Sequence, residues 1–144
     1  MKALIFQTAL FSILGCSSTK VEPEIHLIPQ GYKGLVIIDF GIINGTPPEY
    51  EGDFRIYKIP ENGKLKTQFQ SNLGVKPRDK NLFFQINPNG QRIPLTHFSD
   101  NDLSPETMVV SNVYVVGNSY HYFIDELQKI DQYKNPAIEE SPRQ

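Results

Sequence analysis

From residue 24 onward, apolar and polar side chains alternate over short stretches separated by proline- and glycine-rich turns. Glu24 to Ile28 is a first short strand, stopped by Pro29, and Gly31 opens a turn. Gly34 to Phe40 (GLVIIDF) is apolar on both faces, with Leu35 and Ile37 opposing Val36, Ile38 and Phe40. That pattern predicts a central strand covered on both sides. Phe54 to Ile59, the turn Pro60-Glu61-Asn62-Gly63 and Leu65 to Phe69 read as a hairpin. Leu82 to Ile86, Asn87-Pro88-Asn89-Gly90 and Gln91 to Leu95 read as a second, with Pro88 presetting the first turn residue. Met108 to Val116 (MVVSNVYVV) is a long β-rich run that ends at Gly117 and Asn118.

The period then changes. Tyr120, Phe123, Ile124, Leu127 and Ile130 recur at helical spacing, Ser119 is placed as an N-cap, and Asp125 precedes Lys129 by four. These signals predict a helix over Tyr120 to Gln132, although the leading aromatics also suit a strand through Ile124. Segments 41–52 and 70–80 read as loops. The stretch from Asn135 to Gln144, with two prolines and few apolar residues, reads as a disordered tail. About seven short strands with one C-terminal helix give a mainly β domain over 24–134, a small β-sandwich or open barrel.

The N-terminus follows different rules. Lys2 is followed by the mostly apolar run Ala3 to Leu14 and then by small and polar residues, the layout of a secretory signal. The run is short of the roughly 20 apolar residues that a spanning helix needs. Its end, Ile13-Leu14-Gly15-Cys16, resembles the lipobox of bacterial lipoproteins. The resemblance implies a signal peptide over residues 1–15, cleavage between Gly15 and Cys16, and acylation of Cys16. Two or three acyl chains would satisfy the two-signal requirement for stable anchoring and hold the protein to a membrane. Residues 16–23 form the lipidated cysteine and a short tether; Ser17 to Pro23 spans at most about 25 Å. In Gram-negative lipoproteins a serine after the cysteine, here Ser17, favours the outer membrane.

A second resemblance lies in the body. LIPQGYKGLVIIDFG (Leu27 to Gly41) and PPEYEGDFRIYKIPENGKLKTQF (Pro47 to Phe69) are similar to an uncharacterised bacterial lipoprotein family, a domain of unknown function. Its members share an Ile-Pro-x-Gly-Tyr-x-Gly start, here Ile28, Pro29, Gly31, Tyr32 and Gly34. A later Ile-Pro-x-x-Gly turn falls at Ile59, Pro60 and Gly63. The resemblance covers about residues 24–95. It implies secretion and a β-rich fold and supplies no catalytic residues.

Composition narrows the function classes. The 144 residues carry 14 basic and 16 acidic side chains, with no block of one sign, which argues against a nucleic-acid partner. One cysteine excludes an intramolecular disulfide, and acylation would consume that thiol. Gly117-Asn118-Ser119-Tyr120-His121 begins like a nucleophile elbow, but His121 stands in place of the last glycine. No zinc-protease motif, phosphate loop or cofactor fingerprint is present. His97, Asp100 and Asp102 are weak candidates for a cation site, since the loop lacks the fixed ligand pattern that Ca²⁺ takes. Asp39, at the end of a strand, is better explained by a structural hydrogen bond than by catalysis.

Three readings follow. The first is a lipid-anchored, non-catalytic binding or interaction domain of the cell envelope, with a possible envelope protein partner; it expects no pair of ionisable groups converging in a deep pocket. The second is a small envelope hydrolase or metal-dependent enzyme built from loops 41–52 and 96–106. It requires His97 or Asp39 to meet another polar group in one cleft. The third is an immunity or inhibitor protein with an exposed apolar patch.

Overall fold

The structure, a computed structural model, describes residues 21–74, 76–130 and 132–133. The signal peptide, Cys16 and the tail over 135–144 lie outside these residues. Eleven strands are described: β1 (Glu24–Pro29), β2 (Gly34–Asp39), β3 (Tyr50–Glu51), β4 (Phe54–Lys58), β5 (Lys64–Lys66), β6 (Asn81–Ile86), β7 (Arg92–Pro94), β8 (Thr96–His97), β9 (Met108–Val110), β10 (Tyr114–Val116) and β11 (Ser119–Glu126). A short helix, α1 (Leu127–Ile130), follows β11 directly. The excess over seven strands comes from two- and three-residue edge strands.

The strands form two mixed sheets, ordered β3-β4-β1-β6-β7 and β5-β2-β11-β9-β8, with β10 also pairing β11. In the first, β1 lies parallel between β4 and β6. In the second, β2 and β9 flank β11 antiparallel, and β9 and β10 divide one side of β11 between them. The mainly β sandwich expected from the turn spacing is therefore present, and among the described residues no barrel closes.

Side-chain alternation builds the core between the sheets. Val36, Ile38 and Phe40 from the second sheet meet Ile28, Tyr57 and Phe83 from the first, with Tyr120, Tyr122 and Ile124 of β11. Full burial of each such side chain contributes about 1.5–3 kcal/mol. The first sheet is apolar on its other face too: Ile25, Leu27 and Ile56 are buried under Phe54, Leu82, Phe84 and Ile86. Over that face, Arg92 of β7 donates two hydrogen bonds to Glu51 of β3, at 2.9 and 2.7 Å. In a flat five-stranded sheet these edges would stand about 19 Å apart, at 4.7–4.9 Å per strand. Their contact shows that the sheet curls around its outer cluster, in the sense that sheet twist permits.

Four expectations need correction. Pro60 to Gly63 does form a turn, with Gly63 at φ 73°, but it sends β4 and β5 into different sheets instead of closing a hairpin. The Met108 to Val116 run breaks at Ser111 to Val113 into β9 and β10. The second face of β2 is only half-buried, since among the described residues no layer comparable to the core lies upon Leu35 and Ile37. The largest change is at 119–126, which is a strand and not the start of a helix. Tyr120, Tyr122 and Ile124 are buried at period two, and an eight-residue ladder between β2 and β9/β10 outweighs local helical spacing. Ser119 caps no helix; its hydroxyl donates to Asp39 Oδ1 at 2.5 Å. Lys129 pairs with Glu126 instead of Asp125. The second hairpin forms as expected, with β6 antiparallel to β7.

Candidate functional site

Strand β1 is the axis of the site. Its inward face carries Glu24 and His26 ahead of Ile28, so an alternating strand delivers a carboxylate and an imidazole into the space between the sheets. Both are fully buried. Glu24 Oε1 accepts from the Tyr57 hydroxyl at 2.9 Å and from Asn72 Nδ2 at 2.7 Å. Glu24 Oε2 lies 3.1 Å from Lys76 Nζ, whose side chain is 6% exposed. Lys76 Nζ also donates to the Asn72 carbonyl at 2.9 Å and to the Tyr120 hydroxyl at 3.0 Å. Two of the ammonium's three hydrogens are thus bonded, and its charge faces the Glu24 carboxylate. The Tyr120 hydroxyl in turn donates to the Asn72 carbonyl.

His26 extends the network towards the second sheet. Its Nδ1 lies 3.0 Å from the Tyr122 hydroxyl, and its ring stacks on Phe83 at 4.4 Å. Its Nε2 faces Glu24 Oε2 at 3.7 Å, beyond hydrogen-bonding range. An ionised carboxylate can only accept, so the hydrogen belongs on Nε2 and Nδ1 accepts from Tyr122. Burial drives the His26 pKa down against the opposing pull of Glu24, so the ring is neutral at pH 7. For Glu24, burial pushes upward, but His26, Lys76 and Asn72 outweigh it and hold the carboxyl below its ordinary value. Burial, with the Glu24 charge behind it, raises Tyr57 and Tyr122, which remain phenols.

Above this network opens a cleft of about 620 Å³ between β6 of the first sheet and β9–β10 of the second. Glu24, Lys76, Asn81 and Tyr120 form its polar floor, and Leu95, Val110 and Val113 are among its apolar walls. The chain crosses from β7 to β8 through the single residue Leu95, whose amide donates to the Phe83 carbonyl and joins the two sheets there. An apolar cleft with a few polar groups at its base is the usual form of a small-molecule site.

The expectation that no ionisable pair would converge in a pocket is overturned by Glu24 and Lys76. Neither is singled out by the sequence, and nor is His26. The available signal was the alternation Glu24-x-His26-x-Ile28, which places two polar groups on the face of a core isoleucine. The residues that were singled out stand elsewhere or at the rim. His97 lines the cleft mouth with its Nδ1 2.9 Å from Ser99 Oγ, and Asp100 pairs with Arg78. Asp102 adopts φ 59° in the following turn. Among the described residues, no three His, Cys, Asp or Glu side chains gather as a metal site would require. Asp39 is held by Ser119, away from the cleft lining. Gly15 and Cys16 lie outside the described residues.

A family model described as a family of unknown function (DUF6843) matches residues 20–133. The chain belongs to this family. The match takes in both sheets and every residue of the cleft floor, well beyond the 24–95 span of the motifs. No curated protein matches the chain. Among solved structures, a crystal structure of a protein described as a candidate lipoprotein from Bacillus anthracis is similar, with a TM-score of 0.51 and 16% identity. The likeness covers 74% of this chain and 71% of that one, and at that identity it is a likeness of fold. No described helix of this family member is long and apolar enough to cross a membrane.

Proposed function

We propose that the protein is a lipid-anchored domain of the bacterial envelope that binds a small ligand in the cleft between its sheets without transforming it. The observation that carries the binding reading is an apolar-walled cleft whose ionised groups, Glu24 and Lys76, are already paired with each other at its floor. Glu24 and Lys76 face the cavity, yet Glu24 Oε1 is engaged by Tyr57 and Asn72, Oε2 by the Lys76 charge, and Lys76 Nζ by the Asn72 carbonyl and the Tyr120 hydroxyl. A general base must give its lone pair to a substrate proton, and the Glu24 carboxylate is held against the Lys76 ammonium, whereas Asn81 Oδ1 is left without a partner among the described residues and can accept from a ligand. The floor holds its shape while the apolar walls supply affinity.

The anchor is Cys16, presented by Ile13-Leu14-Gly15 at the end of a signal-like segment. The description of the Bacillus anthracis structure supports it, as does the family resemblance. Ser17 adds a preference for the outer membrane in a cell that has one. Feeding cells a labelled fatty acid tests the anchor: the protein takes up label and Cys16→Ala does not, and equal labelling of both would remove the claim.

Native mass spectrometry of protein extracted from its own membranes tests the cleft. A co-purifying small molecule is expected, and Val115→Trp, at the half-exposed mouth, should abolish it. Retention by the tryptophan variant would place the ligand elsewhere. The convergence of Glu24, His26 and Lys76 favours a second reading, an envelope hydrolase whose substrate breaks the Glu24–Lys76 contact. That reading requires turnover that Glu24→Gln eliminates while the ligand still binds.

A further inference from the structure

The geometry points to one end of the sandwich as a surface that rests on the lipid bilayer, an inference that builds on the acylation of Cys16. The chain enters the fold at that end. The Glu22 amide donates to Asn72 Oδ1 at 3.0 Å, Asn72 Nδ2 returns a bond to the Glu22 carbonyl at 2.8 Å, and Arg55 Nε holds the Glu22 carboxylate at 2.6 Å. Residues 21–23, assigned from the sequence to the tether, are thus fixed to the body. Only the segment from Cys16 to Glu22 separates the anchor from a pinned residue, a reach of at most about 22 Å.

Three segments meet around this entry point: 41–46, 67–74 and the β10–β11 turn. The Gly41 amide donates to the Phe69 carbonyl and Asn118 Nδ2 donates to the Phe40 carbonyl at 2.9 Å. A side chain at Gly41 would touch both Asn118 and Gln70. Large exposed apolar side chains concentrate here. Ile43 is 88% exposed, Tyr50 51%, Leu73 48% and Val116 50%, whereas Ile93 on β7 is 39% exposed. Gly41 to Gly45 (GIING), Thr67 to Gly74 (TQFQSNLG) and Val115 to Asn118 (VVGN) contain no charged residue, in a chain that is 21% charged.

An uncharged rim tipped by Ile, Leu, Val and Tyr suits the boundary between headgroups and acyl chains, where apolar side chains bury and a tyrosine hydroxyl stays wet. The three segments hold no basic residue, and the exposed basic side chains at this end, Arg78 and Lys80 just before β6, alternate with acidic Asp79, so contact is expected on zwitterionic membranes. The opposite end, with the Asn87–Gly90 turn, stands about 20 Å further out along the six-residue strands β1 and β6. The cleft, lined by Gly74 and Val115 among others, borders this rim.

The test uses the full-length acylated protein in phosphatidylcholine vesicles. Acylation occupies Cys16, so a cysteine introduced by Ile43→Cys, Leu73→Cys or Asn89→Cys is the one free thiol and can carry an environment-sensitive fluorophore. The expected result is a blue shift at 43 and 73 and a roughly twofold or greater loss of fluorescence with nitroxide-labelled phosphatidylcholine, with no change at 89. If the protein floats with the vesicles but 43 and 73 behave like 89, this inference fails and the anchor stands. If the protein does not float, the anchor reading fails and the inference with it.

Discussion

Replacing Lys76 by methionine keeps most of the side chain's volume and removes one charge from a buried pair. Lys76 Nζ sits 3.1 Å from Glu24 Oε2, with side-chain exposures of 6% and 1%. Neither charge is repaid by water, so the loss falls in the range for breaking a buried pair, about 3–5 kcal/mol, above the 0–1 kcal/mol of a surface pair. With a urea m-value of about 2 kcal/mol/M, the unfolding midpoint drops by roughly 1.5–2.5 M. The pH dependence separates electrostatics from packing. In the native protein Glu24 is held below its ordinary value. Its ionised form therefore stabilises the fold above the unfolded carboxylate range, and that contribution is lost as pH falls through the native value. Without Lys76 the balance moves towards burial, which favours the protonated acid. The difference between variant and wild type is then greatest at pH 7 and shrinks as the pH is lowered towards 4. Urea titrations of both proteins in a Cys16→Ala background across that range measure it. A loss below about 1 kcal/mol at pH 7, or one that does not vary with pH, would refute the reasoning.

Two further outcomes are expected. Gly63→Ala should destabilise by about 1–3 kcal/mol in thermal melts: Gly63 has φ 73°, and a Cβ there would lie 1.9 Å from the Tyr32 hydroxyl and 2.7 Å from the Leu35 carbonyl. An unchanged melting temperature would mean that the β4–β5 crossover is not held by this contact. Tyr122→Phe leaves His26 Nδ1 without its donor and should cost about 1–3 kcal/mol, whereas the double change with His26→Phe should recover part of that loss. Strict additivity in a double-mutant cycle would show that the two groups are not coupled.

Local chemistry was read correctly where it determines the outcome by itself. Asn87-Pro88-Asn89-Gly90 encodes a tight reversal, and β6 and β7 pair across it. Pro60 to Gly63 encodes a turn equally well, but nothing in those four residues says which sheet the next strand joins. That is decided by distant partners, since β5 pairs with β2 at Ile37 to Asp39. The segment 119–126 satisfies both periods, and only its neighbours on either side select the strand. The polar site was hidden for a related reason. Glu24 and Lys76 stand 52 positions apart (76 − 24) and each looks like an ordinary surface charge; their meeting is a property of topology. The weak cation candidates were legible as a cluster because they are close in sequence; the fold keeps His97 and Asp100 together at the cleft mouth, but Asp100 is paired with Arg78 and Asp102 turns away at φ 59°.

The Glu51–Arg92 contact bears on how such proteins coexist once crowded. A sheet edge carries unpaired amides and carbonyls that can recruit a strand from another molecule, a hazard that grows when molecules are confined to a plane. Here the two outer strands of the first sheet are turned towards each other and latched by a charged pair. Their length adds a second safeguard, since β3 has two residues and β7 three, ending in Pro94, which has no amide to donate. The curl of this sheet thus acts as protection against edge-to-edge aggregation, and Arg92→Ala should expose that weakness first at high surface density.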